Sequence, residues 1–382
     1  MRRVSFALLA GLSMVAAYRT AADAQFSVRV GQFGPRAEVR YARPTLLWEI
    51  WPTNPEARVQ SVVLTLDGKP VDAQYDPHAR AVKYTPNKPM TPGAHNVDCR
   101  ITFEGGASFD KKWVTRIAEA PLAEFPSPTR DQVEAITAIN DLRHALGLTT
   151  VVPDQRLNIA AFLHSSYLAK NNENGHAEKP GTPGFLGASG VERLEAYGYV
   201  GSCWEDVGFG SHSVTEAVND LFDAPYHRIP FLQPGSIPFG SGYVDQRTTL
   251  EFGASDEGGV VVSPADGQTR VPCLWHNFER PNPLRSRATT TTVTGYPIVL
   301  AGFGTGFSRL HGVSARLAGP KGEPITCWLN KPENDDVLTS AAILIPQLPL
   351  RAKSTYTATF SAYDDEDRPI DKTVKFTTGA RN

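Results

Sequence analysis

Several short motifs in this sequence combine residue types that can do chemistry, and each needs a particular context to work. His176-Ala-Glu178 has the H-x-E form of a zinc deaminase, but the P-C-x-x-C run that completes such a site is absent. Residues 302–306 (GFGTG) are glycine-rich, yet they lie in a β-rich stretch with no helix after them, which argues against a nucleotide-binding loop. No HExxH, Walker or GxSxG motif and no EF-hand loop occurs. The motifs alone therefore identify no hydrolase or nucleotide-binding enzyme.

Four cysteines are the other candidate reactive groups: Cys99, Cys203, Cys273 and Cys327. No CxxC spacing is present, which argues against a thiolate zinc site or a thioredoxin-type redox motif. In an exported chain an even number of cysteines fits one or two disulfides, with three possible full pairings. The pattern favours a structural role over a reactive thiol.

The composition is that of an ordinary globular protein long enough for about two or three domains. Hydrophobic residues make up 41% of the 382 residues and charged residues 20%. Lys and Arg number 38 and Asp and Glu 40, a net charge of −2. That balance removes the electrostatic case for binding nucleic acid.

Residues 1–24 have the pattern of a secretory signal peptide. Arg2 and Arg3 form a basic start, residues 4–17 are apolar, and Ala22 and Ala24 supply the small residues of a cleavage site. No later stretch reaches 18 apolar residues, so no transmembrane segment is expected after signal removal. The sequence predicts a secreted or periplasmic protein.

Residues 25–118 and 285–380 both read as short strands separated by Gly, Pro or Asp turns. Gly68-Lys-Pro70-Val71 recurs as Gly322-Glu-Pro324-Ile325, and a Pro-x-x-Pro sequence follows each copy, at residues 86–89 and 346–349. Two matches in the same order favour a duplicated unit of about 95 residues. We expect two β-sandwiches, which resemble the immunoglobulin-like (Ig-like) modules of exported bacterial proteins.

Residues 127–262 instead show helical periodicity. A helix is predicted from Pro128 to Gly147, a second over about residues 154–171, and a fourth after the Ser213-Val-Thr-Glu216 capping box, with a possible short third between them. Residues 240–244 and 248–252 follow as a β-hairpin, with a possible extra strand at 260–262. This predicts helices packed on a small antiparallel sheet, with a linker over residues 263–284.

The motifs of the central region resemble those of the CAP superfamily, which includes cysteine-rich secretory proteins, antigen-five-like venom allergens and pathogenesis-related plant proteins. The similarity covers roughly residues 130–255 and is closest to the bacterial secreted branch, whose members carry an SCP-like domain. The matching residues are Asn140-Asp-Leu-Arg143, Pro153-Asp154, His164-Ser165-x-Tyr167, His176, Trp204-Glu205-Asp206-Val207, Asp223-Ala224-Pro225-Tyr226-His227-Arg228 and Phe239-Gly240-Ser241-Gly242. The stretch from Val262 to Pro283 also resembles the linker that follows this domain in bacterial members. The fold class is thus multidomain: a central α+β CAP domain flanked by two Ig-like β-sandwiches.

The resemblance implies a cleft that carries two histidines and two acidic residues, where some members bind a divalent cation. His176 matches the first histidine, Glu205 the acidic residue and His227 the second histidine. Two imidazoles and a carboxylate can hold zinc or another divalent cation, with one position left for water. His164, on the inward face of its helix, is interpreted as a hydrogen-bonded core histidine and not as a ligand.

The sequence departs from the family pattern at two positions. Asp206 replaces the usual Asn, and Ala224 stands where bacterial members often have Ser and animal members an acidic residue. The second carboxylate is therefore missing, unless Asp206 or Asp223 turns inward.

Two functions remain open. The first is a non-enzymatic exported binding protein whose groove takes a metal, a lipid or a peptide, including a ligand from the cell envelope. The second is a metal-dependent hydrolase of peptide or envelope polymer, with Glu205 as base. The purely structural alternative is that the three polar residues hydrogen-bond one another and hold the helices. The hydrogen bonding of Glu205 discriminates between the two functions, because the hydrolase requires Glu205 to be free of structural hydrogen bonds.

At least one disulfide is predicted, with Cys203 and Cys273 as the favoured pair. Both cysteines lie in or beside the central region, whereas Cys99 and Cys327 lie in different flanks. Such a bridge requires Cα atoms within about 7 Å of each other.

Overall fold

The computed structural model describes residues 14–17 and 26–380, except residues 55, 78, 256 and 288–291. The predicted signal peptide lies outside the described residues apart from Met14–Ala17, which pair with the first strand of the N-terminal β-domain. No helix in the described part of the chain is long and apolar enough to cross a membrane.

The N-terminal β-domain contains two five-stranded sheets that share one apolar core. Their orders are β1-β2-β4-β8-β7 and β3-β10-β9-β5-β6. The core draws Trp48 and Ile50 from the first sheet and Ile101 and Phe103 from the second. The predicted β-structure is confirmed, whereas the Ig-like topology stays a prediction. The strands are β1 (Met14–Ala17), β2 (Ser27–Gly34), β3 (Glu38–Tyr41), β4 (Leu46–Pro52), β5 (Val59–Leu66), β6 (Lys69–Val71), β7 (Gln74–Asp76), β8 (Ala81–Tyr84), β9 (Gly93–Phe103) and β10 (Ser108–Leu122).

The central region contains five helices and a four-stranded sheet of order β11-β13-β14-β12, on which α1, α2 and α4 pack. Its elements are α1 (Arg130–Ala145), β11 (Val152–Pro153), α2 (Gln155–Asn171), α3 (Gly190–Glu195), β12 (Cys203–Phe209), α4 (Val214–Asp223), α5 (Arg228–Phe231), β13 (Pro238–Val244) and β14 (Arg247–Gly253). The α+β prediction is confirmed. Ser213 caps α4 as predicted, but α1 begins later than predicted, because Thr129 and Gln132 form its capping box.

Strand β13 lies directly against helix α2. A Cβ atom on Gly240 would sit 2.3 Å from the backbone nitrogen of Asn158, and one on Gly242 would sit 2.3 Å from the backbone oxygen of Ala161. Neither glycine has a positive φ, so the requirement is for space and not for backbone conformation. This close approach places the end of α2 beside β12 and β14.

The C-terminal β-domain contains the sheets β15-β18-β22-β21 and β20-β19-β23-β24 and the strand pair β16-β17. Its strands are β15 (Gly259–Ser263), β16 (Trp275–His276), β17 (Val293–Thr294), β18 (Ile298–Phe303), β19 (His311–Ala318), β20 (Pro324–Ile325), β21 (Cys327–Asn330), β22 (Ala341–Pro346), β23 (Thr355–Tyr363) and β24 (Pro369–Thr377). The extra strand assigned to the central region is β15, which pairs with β18 instead. The predicted linker is likewise packed, since Val271, Trp275 and Leu284 are buried.

One apolar core runs without interruption from the central region into the C-terminal β-domain. It includes Phe231 and Phe252 from the former and Leu300 and Phe360 from the latter. The N-terminal β-domain keeps a separate core. It meets the central region at Glu195, whose carboxylate accepts the backbone N–H groups of Arg36 at 2.8 Å and Ala37 at 3.0 Å.

Candidate functional site

His176 and Glu205 lie in contact beside the end of α2. His176 donates from Nδ1 to Oε1 of Glu205 at 2.9 Å, while the buried guanidinium of Arg193 donates to Oε2 of the same carboxylate. Glu205 lies on β12 and Arg193 on α3, so a strand and a helix together position the contact between these two residues. Each oxygen of Glu205 therefore has a hydrogen-bond donor from the protein itself.

A buried polar chain extends this contact inward. Arg193 also approaches Glu178, with Nε and Oε1 separated by 3.8 Å, and Glu178 accepts from Nδ1 of His164 at 2.9 Å. The other ring nitrogen of His164 lies 3.1 Å from the carbonyl oxygen of Gly175. His164 is fully buried with both nitrogens partnered, which confirms its interpretation as a core histidine.

The charged groups of this buried polar chain determine the protonation state of Glu205. Burial raises the pKa of Glu205, but the charge of Arg193 and the hydrogen bond from His176 outweigh burial and hold the pKa well below its usual range. Burial and the neighbouring Glu205 charge raise the pKa of Glu251 well above its usual range. Glu205 is thus the ionised member of two adjacent buried carboxyl groups.

His227 contacts a different carboxylate, which the sequence analysis did not include in the site. Its Nδ1 donates to Oε1 of Glu279 at 2.8 Å. Burial lowers the pKa of His227, but this bond and the charges of Asp206 and Glu279 outweigh burial and raise the pKa to about 9. Asp206 lies near both histidines, and burial raises its pKa to about 7 despite the charges of His227 and His176. Glu279 lies within the stretch from Val262 to Pro283 that resembles the linker of bacterial members, and this resemblance is the sequence signal that could have pointed to it.

The predicted metal set does not form in this arrangement. The described residues contain no group of three or more His, Cys, Asp or Glu side chains that could hold a metal ion. His176 and Glu205 are in contact, His227 is paired with Glu279, and Arg193 donates to Oε2 of Glu205. The donor set therefore does not fit the zinc site that the family pattern implies.

The predicted disulfide is not formed either. All four cysteines are free thiols. Cys203 lies in edge strand β12 with its sulfur 3.3 Å from Oε2 of Glu251, whereas the sulfur of Cys273 lies 3.7 Å from the carbonyl oxygen of Gly379 in the C-terminal β-domain. The two thiols contact different partners, Glu251 in β14 and Gly379 after β24, so proximity to the central region along the chain did not bring them together.

An open groove of about 690 Å³ lies between the N-terminal β-domain and α3. Phe185, Leu186 and Val191 give it an apolar side. Its charged lining has both signs, with Arg36 and Arg40 beside Glu38, Glu192 and Glu195, and Arg36 is paired with Glu195 at 3.4 Å. The backbone N–H of Leu186 donates to Glu178 at 2.7 Å, so one wall of the groove is tied to the buried polar chain.

Comparison with known proteins identifies the central region. Residues 136–256 match the CAP family, described as the cysteine-rich secretory protein family. No curated protein matches the chain. Among solved structures, an extracellular protein containing an SCP domain from Bacillus anthracis is 15% identical, over 63% of this chain and 67% of that chain, with a TM-score of 0.28.

Two further solved structures are similar in part. A cysteine-rich secretory protein from Staphylococcus aureus is 9% identical, over 62% of this chain and 85% of that chain, with a TM-score of 0.24. An outer surface protein from Borrelia burgdorferi is 18% identical, over 35% of this chain and 98% of that chain, with a TM-score of 0.28.

Proposed function

Because residues 136–256 form a CAP domain, we propose that this chain is an exported CAP-domain protein that acts by binding a ligand and not by catalysing hydrolysis. Export is supported by the signal pattern of residues 1–24 and by the match to a family of secretory proteins. The fold alone does not decide between binding and catalysis, so the proposal depends on the site.

The state of Glu205 is the observation that carries the proposal. A general base needs an unshared lone pair within reach of a water and a pKa near the working pH. Glu205 instead accepts from His176 and Arg193, and these partners keep its pKa well below the usual range. Together with the poor fit to a metal, this disfavours the alternative of a metal-dependent hydrolase.

The groove beside α3 suggests the class of ligand. Its volume of about 690 Å³ is within the range of small-molecule sites. Its apolar side, formed by Phe185, Leu186 and Val191, suits an acyl chain, while its charged groups of both signs suit a polar head group. A small amphipathic lipid combines these two features.

Binding of a fluorescent fatty acid, 11-(dansylamino)undecanoic acid, tests this proposal with the purified full chain. We expect its fluorescence to rise and saturate with the wild type but not with Val191→Trp, which fills the groove. Val133→Trp, on the exposed face of α1, should bind as the wild type does. Equal binding by all three proteins, or by none, would contradict the groove as the binding site.

The hydrolase alternative is tested separately, with fluorescein-labelled casein and dye-labelled peptidoglycan in the presence and absence of zinc chloride. We expect no release above background from the wild type. Release that disappears in Glu205→Gln but persists in Glu192→Gln, an exposed carboxylate of the same region, would overturn the proposal in favour of catalysis.

A further inference from the structure

Glu279 reaches into the central region from outside the residues that match the CAP family. Its Oε1 accepts three N–H groups: the backbone N–H of Tyr226 at 2.8 Å, the backbone N–H of His227 at 3.0 Å, and Nδ1 of His227 at 2.8 Å. The Glu279 side chain is 0% exposed and that of His227 is 16% exposed. The contact is therefore buried and joins residues 52 positions apart.

The same short run of the central region, residues 223–228, receives further contacts from the C-terminal β-domain. Tyr226 donates to Asp335 at 2.6 Å, and Asp223 accepts from Tyr296 at 2.8 Å. Arg228 donates to the carbonyl oxygen of Pro297 at 2.9 Å. Every one of these partners follows residue 256, where the family match ends.

We propose that His227 serves as an interdomain anchor in this chain instead of a metal ligand, and that Glu279 is the carboxylate that holds it. Position 224 of this run is an alanine and carries no acidic side chain. Glu279 supplies a carboxylate from the following segment and uses it to dock that segment.

Energetics support an anchor at this place. When a buried carboxylate loses its donors, or buried donors lose their carboxylate, each group left without a partner costs its full desolvation free energy. The second oxygen of Glu279 has no hydrogen-bond partner among the described residues, so the three N–H groups on Oε1 carry its compensation. Separating residues 277–285 from the central region would break all three of these hydrogen bonds at once.

Hydrogen exchange measured by mass spectrometry on the full chain tests the anchor. In Glu279→Ala we expect peptides that cover residues 223–231 and 277–287 to exchange at least about tenfold faster, because the amides of Tyr226 and His227 lose their acceptor. Glu195→Ala is the matched control, since Glu195 is also a buried carboxylate that accepts two backbone N–H groups across a domain boundary. It should speed exchange around residues 36–41 and leave residues 223–231 unchanged.

Two results would overturn the anchor. The first is unchanged exchange of residues 223–231 in Glu279→Ala or, if that variant does not fold, in Glu279→Gln. The second concerns zinc. If the anchor is correct, zinc chloride added to the wild type should leave hydrogen exchange of residues 223–231 unaltered. Zinc-dependent protection of that peptide that disappears in His227→Gln would show that His227 is a ligand after all.

Discussion

Tyr226 donates its phenol proton to Oδ2 of Asp335 at 2.6 Å, across the boundary between the CAP domain and the C-terminal β-domain. Both residues are buried. Asn330 donates to the same oxygen at 2.8 Å, and Arg285 donates to the other. A carboxylate of one domain thus accepts hydrogen bonds from donors of both.

Tyr226→Phe should destabilise the chain by about 1.5–3 kcal/mol, the usual range for a hydrogen bond to a charged group. The substitution keeps the ring and removes one donor from the buried Asp335. Urea unfolding of the full chain measures the change, with Tyr363→Phe, which is half-exposed, as the control. Equal midpoints for the two variants would contradict the expected contribution.

Arg143→Lys should cost about 3 kcal/mol or more in the free energy of unfolding. The Arg143 guanidinium is fully buried and donates to the carbonyl oxygens of Thr149, Phe231, Gln233 and Gly235, and burial lowers its pKa to about 10. A lysine cannot reach all four acceptors, and each one left unsatisfied costs about 1–3 kcal/mol. Chemical unfolding of Arg143→Lys is compared with that of Arg130→Lys, a substitution at a highly exposed site. A similarly small loss of stability in both variants would contradict the structural role of Arg143.

Gly242→Ala should destabilise the CAP domain by about 1–3 kcal/mol, because its Cβ would meet the backbone of α2 at 2.3 Å. Gly208→Ala is the matched control in strand β12 of the same sheet, where the nearest atom would lie 3.5 Å away. Thermal unfolding should show a lower midpoint for Gly242→Ala alone. A shift of the same size in both variants would mean that strand glycines matter here for a reason other than space.

The N-terminal β-domain should lose stability as pH rises, through His95. Burial lowers the pKa of His95, but hydrogen bonds to Thr91 and Asp67 outweigh burial and raise the pKa above its usual 6.5. The folded state therefore binds this proton more tightly, so the stabilisation is complete below pH 6.5 and is lost as pH rises through the folded-state pKa.

His95→Gln removes this dependence and serves as the comparison. The difference in unfolding free energy between wild type and variant should be largest on the acid side of pH 6.5 and shrink at alkaline pH. Denaturant titrations at a series of pH values measure it. A difference that grows with pH would give the opposite sign and rule out the raised pKa.

Sequence patterns predicted the elements of the CAP domain because local signals decide them. Capping residues and periodic apolar residues are readable along the chain, as at Ser213 and α4. Strand β15 shows the limit: an apolar run predicts a strand but does not say which sheet it joins, and β15 pairs with a strand some 40 residues later.

The candidate site was predicted only in part, for a similar reason. The motif match indicated His176, Glu205 and His227, and the structure places the first two in contact. Arg193 and Glu279 were missed as partners, because their roles depend on tertiary contacts that no spacing encodes. The disulfide prediction was wrong because closeness in sequence to one domain says nothing about the distance between two Cα atoms.

The continuous core of the CAP and C-terminal β-domains bears on how the molecule unfolds. Phe231 and Phe252 lie in the same apolar cluster as Leu300 and Phe360, so neither domain can open without exposing the other. Residues 136–256 expressed alone would carry an uncovered apolar face into solution, where it favours aggregation. The N-terminal β-domain has its own core and can melt separately. The N-terminal β-domain, the CAP domain and the C-terminal β-domain thus form two cooperative folding units. A calorimetric scan should therefore resolve two unfolding transitions.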